Sequence, residues 1–358
     1  MASWADDIWW EGPARELNPY QPFAAEFPGL LCWDPQDENV SRLLTCQVPY
    51  LRGRELGVGG FAKVYKVLRK TDGSIFAGKT SNMTEKLREE ARILRQLNDV
   101  SPLTLYVPPS SPFSQTLIKG QDHILRCEGL YEDEDAPEAT MLLTEICAGG
   151  NLNTHINNST GGMAPGQILR VIVQVAAALD YLHGQSLFHS DVKPKNIFIR
   201  SFRPMNVALG DCADVKSVPY GGKLEGTPRF YSPEMVSNKR NTGPADDVWA
   251  LGVGTLMMVN QQPRMRYVRE SRRDVPQLRE YTRRCIEHAA ELSRLNPGHG
   301  IVTLMGRMLA GSAQQRITAG ELRVAAGDAL ERWVNEHGGE DGELGIKAPE
   351  GFRPVEFW

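Results

Sequence analysis

The stretch Leu187-Phe188-His189-Ser190-Asp191-Val192-Lys193-Pro194-Lys195-Asn196-Ile197-Phe198-Ile199 constrains this chain more than any other. Pro194 rigidifies the segment, and the apolar Ile-Phe-Ile tail calls for a buried strand immediately after it. Taken alone, it is a polar loop between a helix and a strand. Its side chains also form a chemical set: a carboxylate, a cation two residues on and an amide five residues on. That set suits the movement of a phosphoryl group. Asp191 can accept a hydroxyl proton, Lys193 can offset phosphate charge, and Asn196 can offer an oxygen to a metal.

At 358 residues the chain has room for two packed lobes and terminal extensions. Hydrophobic content of 41% and charged content of 23% are ordinary for a globular protein. The net charge of −4 gives no global drive towards nucleic acid or an acidic membrane surface. Cys32, Cys46, Cys127, Cys147, Cys212 and Cys285 are scattered without a C-x-x-C, which points to reduced thiols in the cytoplasm, with the nucleus an alternative. No apolar secretory leader is evident, and the run Ala250 to Val259 is about half a membrane span. The expectation is a soluble intracellular protein with no membrane and no nucleic-acid partner.

Residues 1–47, with Trp4, Trp9, Trp10 and Trp33, show no sustained period and are expected to form an irregular extension. Its aromatics either dock a partner or pack on the chain's own domain. Tyr50 to Lys79 suggests three strands, with a hairpin turn at Asp72-Gly73. Between the first two strands, Gly57-Val58-Gly59-Gly60-Phe61-Ala62-Lys63-Val64 could close backbone amides over phosphates without Cβ clashes. Thr84 to Leu97 predicts an amphipathic helix with Leu87, Ala91, Leu94 and Leu97 on one face. The proline- and serine-rich Asn98 to Asp122 suggests an inserted surface loop, after which His123-Ile124-Leu125 should open a strand. A further strand, Met141 to Thr144, ends in a Gly-Gly turn, and Ala164 to Gly184 has a helical period. Arg264 to Arg284 holds eight arginines and three acids: either a basic docking face for acidic or phosphorylated partners, or a solvated helical face. Residues 336–358 are expected to form a tail.

These motifs, in this order, resemble those of the eukaryotic-type protein kinase superfamily over about residues 50 to 335. His189 to Asn196 matches the catalytic loop His-Arg-Asp-Leu-Lys-Pro-x-Asn at six of eight positions, with Ser190 in place of arginine. Gly57 to Val64 is similar to the Gly-rich loop, with Ala62 at the third glycine, and Ala77-Gly78-Lys79 to the Val-Ala-Ile-Lys strand. Glu90 takes the place of the helix αC glutamate, at a spacing from Lys79 shorter than the family's; Glu89 is the solvated alternative. Thr144-Glu145-Ile146-Cys147 resembles the hinge with its gatekeeper, and Gly210-Asp211-Cys212-Ala213 the Asp-Phe-Gly segment. Gly226 to Glu234 resembles the end of the activation segment, Asp247 to Gly252 the central helix, and Arg316 the late arginine that pairs with Glu234. Breaking such a buried pair should cost roughly 3–5 kcal/mol.

The resemblance implies an α+β bilobal protein-kinase fold, with a small β-rich N-lobe carrying αC and a larger, mainly helical C-lobe. The domain would span 48–335, divided into 48–147 and 148–335, with the insertion at about 98–122. It implies Mg-ATP as phosphate donor and a serine or threonine hydroxyl of a protein as acceptor. Asp191, Lys193 and Asn196 would be catalytic, and Asn196 and Asp211 would hold Mg2+. Gly57, Val58, Gly59, Val64, Ala77, Lys79, Glu90, Thr144, Glu145, Cys147 and Phe198 would form the nucleotide site. The alternative is a pseudokinase scaffold, suggested by Ala62, Ala213, Cys212, Ser190 and the short Lys79–Glu90 spacing. Because Ser190 carries no charge, activity without activation-segment phosphorylation is expected.

Overall fold

The structure is a computed structural model that describes residues 50–59, 62–99, 119–132, 140–159, 162–218, 226–237, 243–265 and 275–353. The N-terminal tryptophans, most of the insertion, Tyr220 and residues 266–274 of the arginine-rich segment lie outside the described residues. The chain divides into two compact units, 1–95 with 126–148, and 96–125 with 149–358. Among the described residues, no helix is long and apolar enough to cross a membrane.

The first unit carries a five-stranded antiparallel sheet in the order β1-β2-β3-β5-β4. Its strands are β1 (Tyr50–Val58), β2 (Ala62–Arg69), β3 (Ile75–Ser81), β4 (Cys127–Tyr131) and β5 (Met141–Thr144). The Asp72-Gly73 turn forms as expected, with Gly73 at φ 73° and Asp72 clasped by Arg69 at 2.7 Å. Register then sorts the side chains. Val67, Phe76, Met141 and Leu143 pack into one core cluster. Gly57, Val64 and Lys79 are direct cross-strand neighbours, as are Ala77 and Thr144. Alternation along β3 therefore puts Gly57, Val64, Ala77, Lys79 and Thr144 on one common face, away from that cluster.

Helix α1 (Thr84–Asp99) buries Leu87, Glu90, Ala91, Leu94 and Leu97 along one stripe. Glu90 lies three residues after Leu87 and four before Leu94, so the period that buries the leucines buries its carboxylate too. Glu89 faces outward and pairs with Arg92 at 2.6 Å.

The second unit is built on three helices: α3 (Pro165–Gly184), α5 (Pro244–Met258) and α8 (Ala319–His337). Most of α3 and nearly all of α5 is buried, which explains their weak amphipathic pattern. Around them lie α2 (Leu152–Asn158), the β6 (Leu187–Phe188) and β9 (Lys216–Ser217) pair, the β7 (Ile197–Phe202) and β8 (Met205–Leu209) hairpin, and α4 (Pro233–Val236). Helices α6 (Val275–Leu295) and α7 (Gly300–Met308) complete it. Arg316 meets Glu234 at 3.0 Å, donates to the Ala245 carbonyl and lies over the Trp249 ring. The expected buried pair thus ties Glu234 of α4, through Arg316, to α5.

Three expectations need correction. His123-Ile124-Leu125 opens no strand: Gly120–His123 is a 3-10 turn, and Leu125 N–H donates to Leu209 O of the second unit. Residues 96–125 accordingly group with that unit and not with the N-lobe expected from the motifs. Tyr181 donates to Leu97 O, and the buried His123 ring bonds Val207 O. Residues 338–353 are no free tail. Glu340 pairs with Arg170, and its carbonyl accepts from Gly166 N–H. Asn296 bonds Lys347 through both main-chain groups, at 2.7 and 2.9 Å, and Phe352 stacks on His288.

Candidate active site

In the second unit the loop after β6 gathers its polar groups around Asp191, which is 7% exposed. Asp191 Oδ1 accepts from Thr227 N–H at 3.0 Å and from the Thr227 hydroxyl at 2.9 Å. Its Oδ2 accepts from Lys193 Nζ at 2.5 Å and Asn196 Nδ2 at 3.3 Å. Lys193 Nζ also donates to Thr227 Oγ1 at 2.8 Å. The carboxylate is held by charge-assisted bonds from both sides, which fixes its orientation. Asn196 Nδ2 also donates to Asp191 O at 2.9 Å, so its donor edge faces the loop and its carbonyl oxygen is the edge turned away.

Buried groups that the sequence reading did not count as part of the site hold this loop in place. Asp247, at the start of α5, accepts from His189 N–H at 2.7 Å, Ser190 N–H at 2.8 Å and His183 Nε2 at 3.0 Å. Ser190 adopts φ 69°, unusual for a non-glycine residue, and the bond to Asp247 helps secure it. His189, fully buried, donates from Nε2 to Gly210 O at 3.0 Å and accepts at Nδ1 from Asp191 N–H at 3.4 Å. One neutral tautomer satisfies both bonds. With Gly210 N–H donating to Asn196 O, the loop is tied on both sides to the residue before Asp211.

Gly226 must be glycine: at φ 92° an added Cβ would lie 2.7 Å from Ser190 O. This close approach lets Thr227 reach Asp191. Asp211 itself takes φ 59°, ψ 58°, and the following 3-10 turn Cys212–Asp214 buries Cys212 completely. The left-handed residue of this segment is therefore Asp211, while Ala213 sits in the turn without a positive φ. Phe198 lies on β7, opposite Ala208 and bridged to Asn151.

In the first unit, Lys79 Nζ meets Glu90 Oε2 at 2.8 Å, with side-chain exposures of 22% and 4%. The short spacing does not prevent the pairing. Thr144 is buried at the end of β5, beside Ala77. Glu145 N–H donates to Arg126 O, and its carboxylate accepts from Arg126 N–H, fixing the exit from β5. Gly59 N–H donates to Ala62 O at 2.7 Å and narrows the β1–β2 turn; Val58 beside it is exposed, and Gly60 and Phe61 lie outside the described residues.

Residues 113–325 match the protein kinase domain, more than half of the chain. The chain belongs to this family. It is similar to the serine/threonine protein kinase OSK3 of Oryza sativa subsp. indica, with 30% identity over 215 residues, covering 57% of this chain and 37% of the relative. It is also similar to serine/threonine-protein kinase PLK2 of Mus musculus, at 26% over 260 residues (66% and 34%), and to serine/threonine-protein kinase ULK3 of Xenopus laevis, at 29% over 209 residues (57% and 40%). The chain thus spans well under half the length of these relatives. The family match begins after Lys79 and Glu90, so the description of those residues rests on the geometry of the first unit.

Proposed function

We propose that this chain is an ATP-dependent protein serine/threonine kinase, transferring the γ-phosphate of ATP to a serine or threonine hydroxyl. One observation carries the reading: an aliphatic hydroxyl, that of Thr227, donates to Asp191 and accepts from Lys193. A substrate hydroxyl using the same two groups would have its proton aimed at a base and its oxygen beside a cation.

Asp191 would take the proton as the hydroxyl oxygen bonds to the γ-phosphorus. The bond from that phosphorus to the bridging oxygen breaks, and ADP leaves with the electron pair. Lys193 would offset charge on the transferring group. Lys79, held by Glu90, would bind the α- and β-phosphates under the Gly57-Val58-Gly59 turn. Val64, Ala77 and Thr144 would line the base in the first unit. Cys147 would bond it through its backbone; Glu145 would do so through its carbonyl, since its N–H serves Arg126.

The donor set fits magnesium, which prefers hard oxygens and completes its shell with phosphates and water. Asn196 would offer its outward carbonyl oxygen and Asp211 its carboxylate. The ion, when bound, would neutralise charge developing on the β- and γ-phosphates. The position of the positive φ bears on the pseudokinase alternative: because it falls on Asp211, Ala213 imposes no strain there.

The test is transfer of labelled γ-phosphate from Mg-ATP to a generic protein acceptor, comparing the wild type with Asp191→Asn after checking that both fold. Transfer lost in the variant supports the reading. No transfer by either protein, with a thermal shift on adding Mg-ATP, would favour a nucleotide-binding pseudokinase; absence of both would leave a scaffold.

A further inference from the structure

We infer that the protein segment recognised beside Asp191 is acidic, and that Arg229, Arg264, Arg279 and Arg284 recognise it. The location of this surface rests on the phosphotransfer reading; the charge preference does not.

The surface is built on one apolar cluster. Tyr231, Met235, Val236 and Leu278 form a buried core, with Met265 packed against it. The cluster welds the segment after Thr227 to α6 and to the stretch after α5. Its polar fringe is cationic. Arg229 is two residues from Thr227, in the 3-10 turn Pro228–Phe230, and its charge acts on the buried Tyr281 phenol of α6. Arg264 precedes Met265, Arg279 follows Leu278, and Arg284 donates to Arg264 O at 3.0 Å. Arg264, Arg279 and Arg284 are exposed and Arg229 is partly so. Lys195, exposed in the loop carrying Asp191, adds a fifth cation.

Among the described residues, the carboxylates next to this fringe are engaged elsewhere. Glu280 pairs with Arg283, Glu234 with Arg316, and the buried Asp246 accepts from Ser232 and Gly243. Helix α2 contains no acid. Arg170, Arg294 and Arg323 of the same unit each pair with a carboxylate, whereas Arg229, Arg264 and Arg279 have none among the described residues. In a chain of net charge −4, a cationic fringe unmatched among the described residues, on the cluster that holds the segment after Thr227, is a local property, not a reflection of composition.

The test uses the full chain and three labelled short peptides, identical except that a central serine is flanked by aspartates, alanines or arginines. Binding is followed by fluorescence anisotropy and phosphate transfer in parallel. The aspartate peptide should bind about tenfold more tightly than the alanine one at low salt, the effect of two or three exposed charge pairs, and the margin should shrink as salt rises. Arg229→Glu combined with Arg264→Glu should abolish the margin. Arg279→Glu, at an exposed helix position, should reduce it without disturbing the fold. Equal binding of the three peptides, an unchanged margin in folded variants, or stronger competition by single-stranded RNA than by the aspartate peptide would overturn the inference. Phosphate transfer without acidic preference would overturn it and leave the kinase reading standing. Acidic binding without transfer to any peptide would do the reverse.

Discussion

The Thr227 hydroxyl stands between the two ends of an ion pair, donating to Asp191 at 2.9 Å and accepting from Lys193 at 2.8 Å. Its main-chain N–H also donates to Asp191, so the residue positions the carboxylate twice. Thr227→Ala keeps the backbone bond and loses the hydroxyl, which should lower kcat by roughly 10- to 100-fold, less than the ~10²–10⁴-fold expected for losing a general base. Thr227→Ser should retain most of the rate. Steady-state kinetics with Mg-ATP would decide; equal losses in the two variants would count against a hydroxyl role.

The Lys79–Glu90 pair carries a stability consequence as well as a binding one. Glu90 is almost fully buried, so Lys79→Met leaves a carboxylate without its 2.8 Å partner. The single variant should lower the Tm and raise the KM for ATP. Adding Glu90→Gln should recover much of the lost Tm and none of the KM. Thermal melts and ATP titrations on both variants separate the two effects, and a double variant no more stable than the single would refute the buried-charge account.

Ser190 takes the catalytic-loop position where the resembling family has an arginine, and its N–H is committed to Asp247. With no cation at position 190, no phosphate on the activation segment is needed to offset charge in that loop. Ser217→Ala should therefore leave turnover close to the wild type. Loss of turnover in folded Ser217→Ala protein would show that a phosphate or hydroxyl at that position is needed.

What was legible in the sequence was what is local or periodic. Gly57, Val64, Ala77, Lys79 and Thr144 fall on one sheet face because strands alternate, and Glu90 turns inward because it shares the leucine stripe of α1. Asp191, Lys193 and Asn196 stand within one short loop whose internal bonds follow from its spacing. Asp247 was legible as the start of a helix and not as an anchor, because its partners His189 and Ser190 lie 58 and 57 residues away. The same limit explains the strand misplaced at His123: that ring bonds Val207, 84 residues on, and no local pattern announces it. Cationic side chains are legible in a sequence; which carboxylates remain to match them is not.

Asp246 supplies a pH dependence. Burial against α4 pushes its carboxyl up to about 6, despite bonds from Ser232 and Gly243 and the nearby Arg316. The folded state then holds this proton more tightly than the unfolded chain. Its contribution to stability is fully present below about pH 3.8 and is lost as pH rises through about 6. The contribution is on the order of 2–3 kcal/mol. Asp246→Asn cannot titrate and should flatten the Tm profile between pH 4 and 6 relative to the wild type. Parallel profiles would mean that Asp246 ionises normally.

The segment after α8 should behave as part of the domain. Glu340 by itself ties the segment to two elements: its carboxylate pairs with Arg170 of α3 and accepts from Met205 N–H of β8, and its carbonyl accepts from Gly166 N–H, also of α3. The approach is close enough that a Cβ on Gly166 would fall 2.4 Å from the Glu340 backbone. Farther on, His299 bonds Leu344 O, and Asn296 clasps Lys347. Removing residues 338–358 would strip these partners and leave the buried Asn296 amide without two of its three bonds. At roughly 0.5–1.5 kcal/mol per bond, with more for the charged pair, the truncation should cost about 3–6 kcal/mol. Glu340→Ala should cost less than the whole truncation but lie in the same direction, since the Asn296 and His299 anchors would persist. Chemical denaturation of the three proteins tests this, and a truncated chain as stable as the full one would return the segment to the status of a tail.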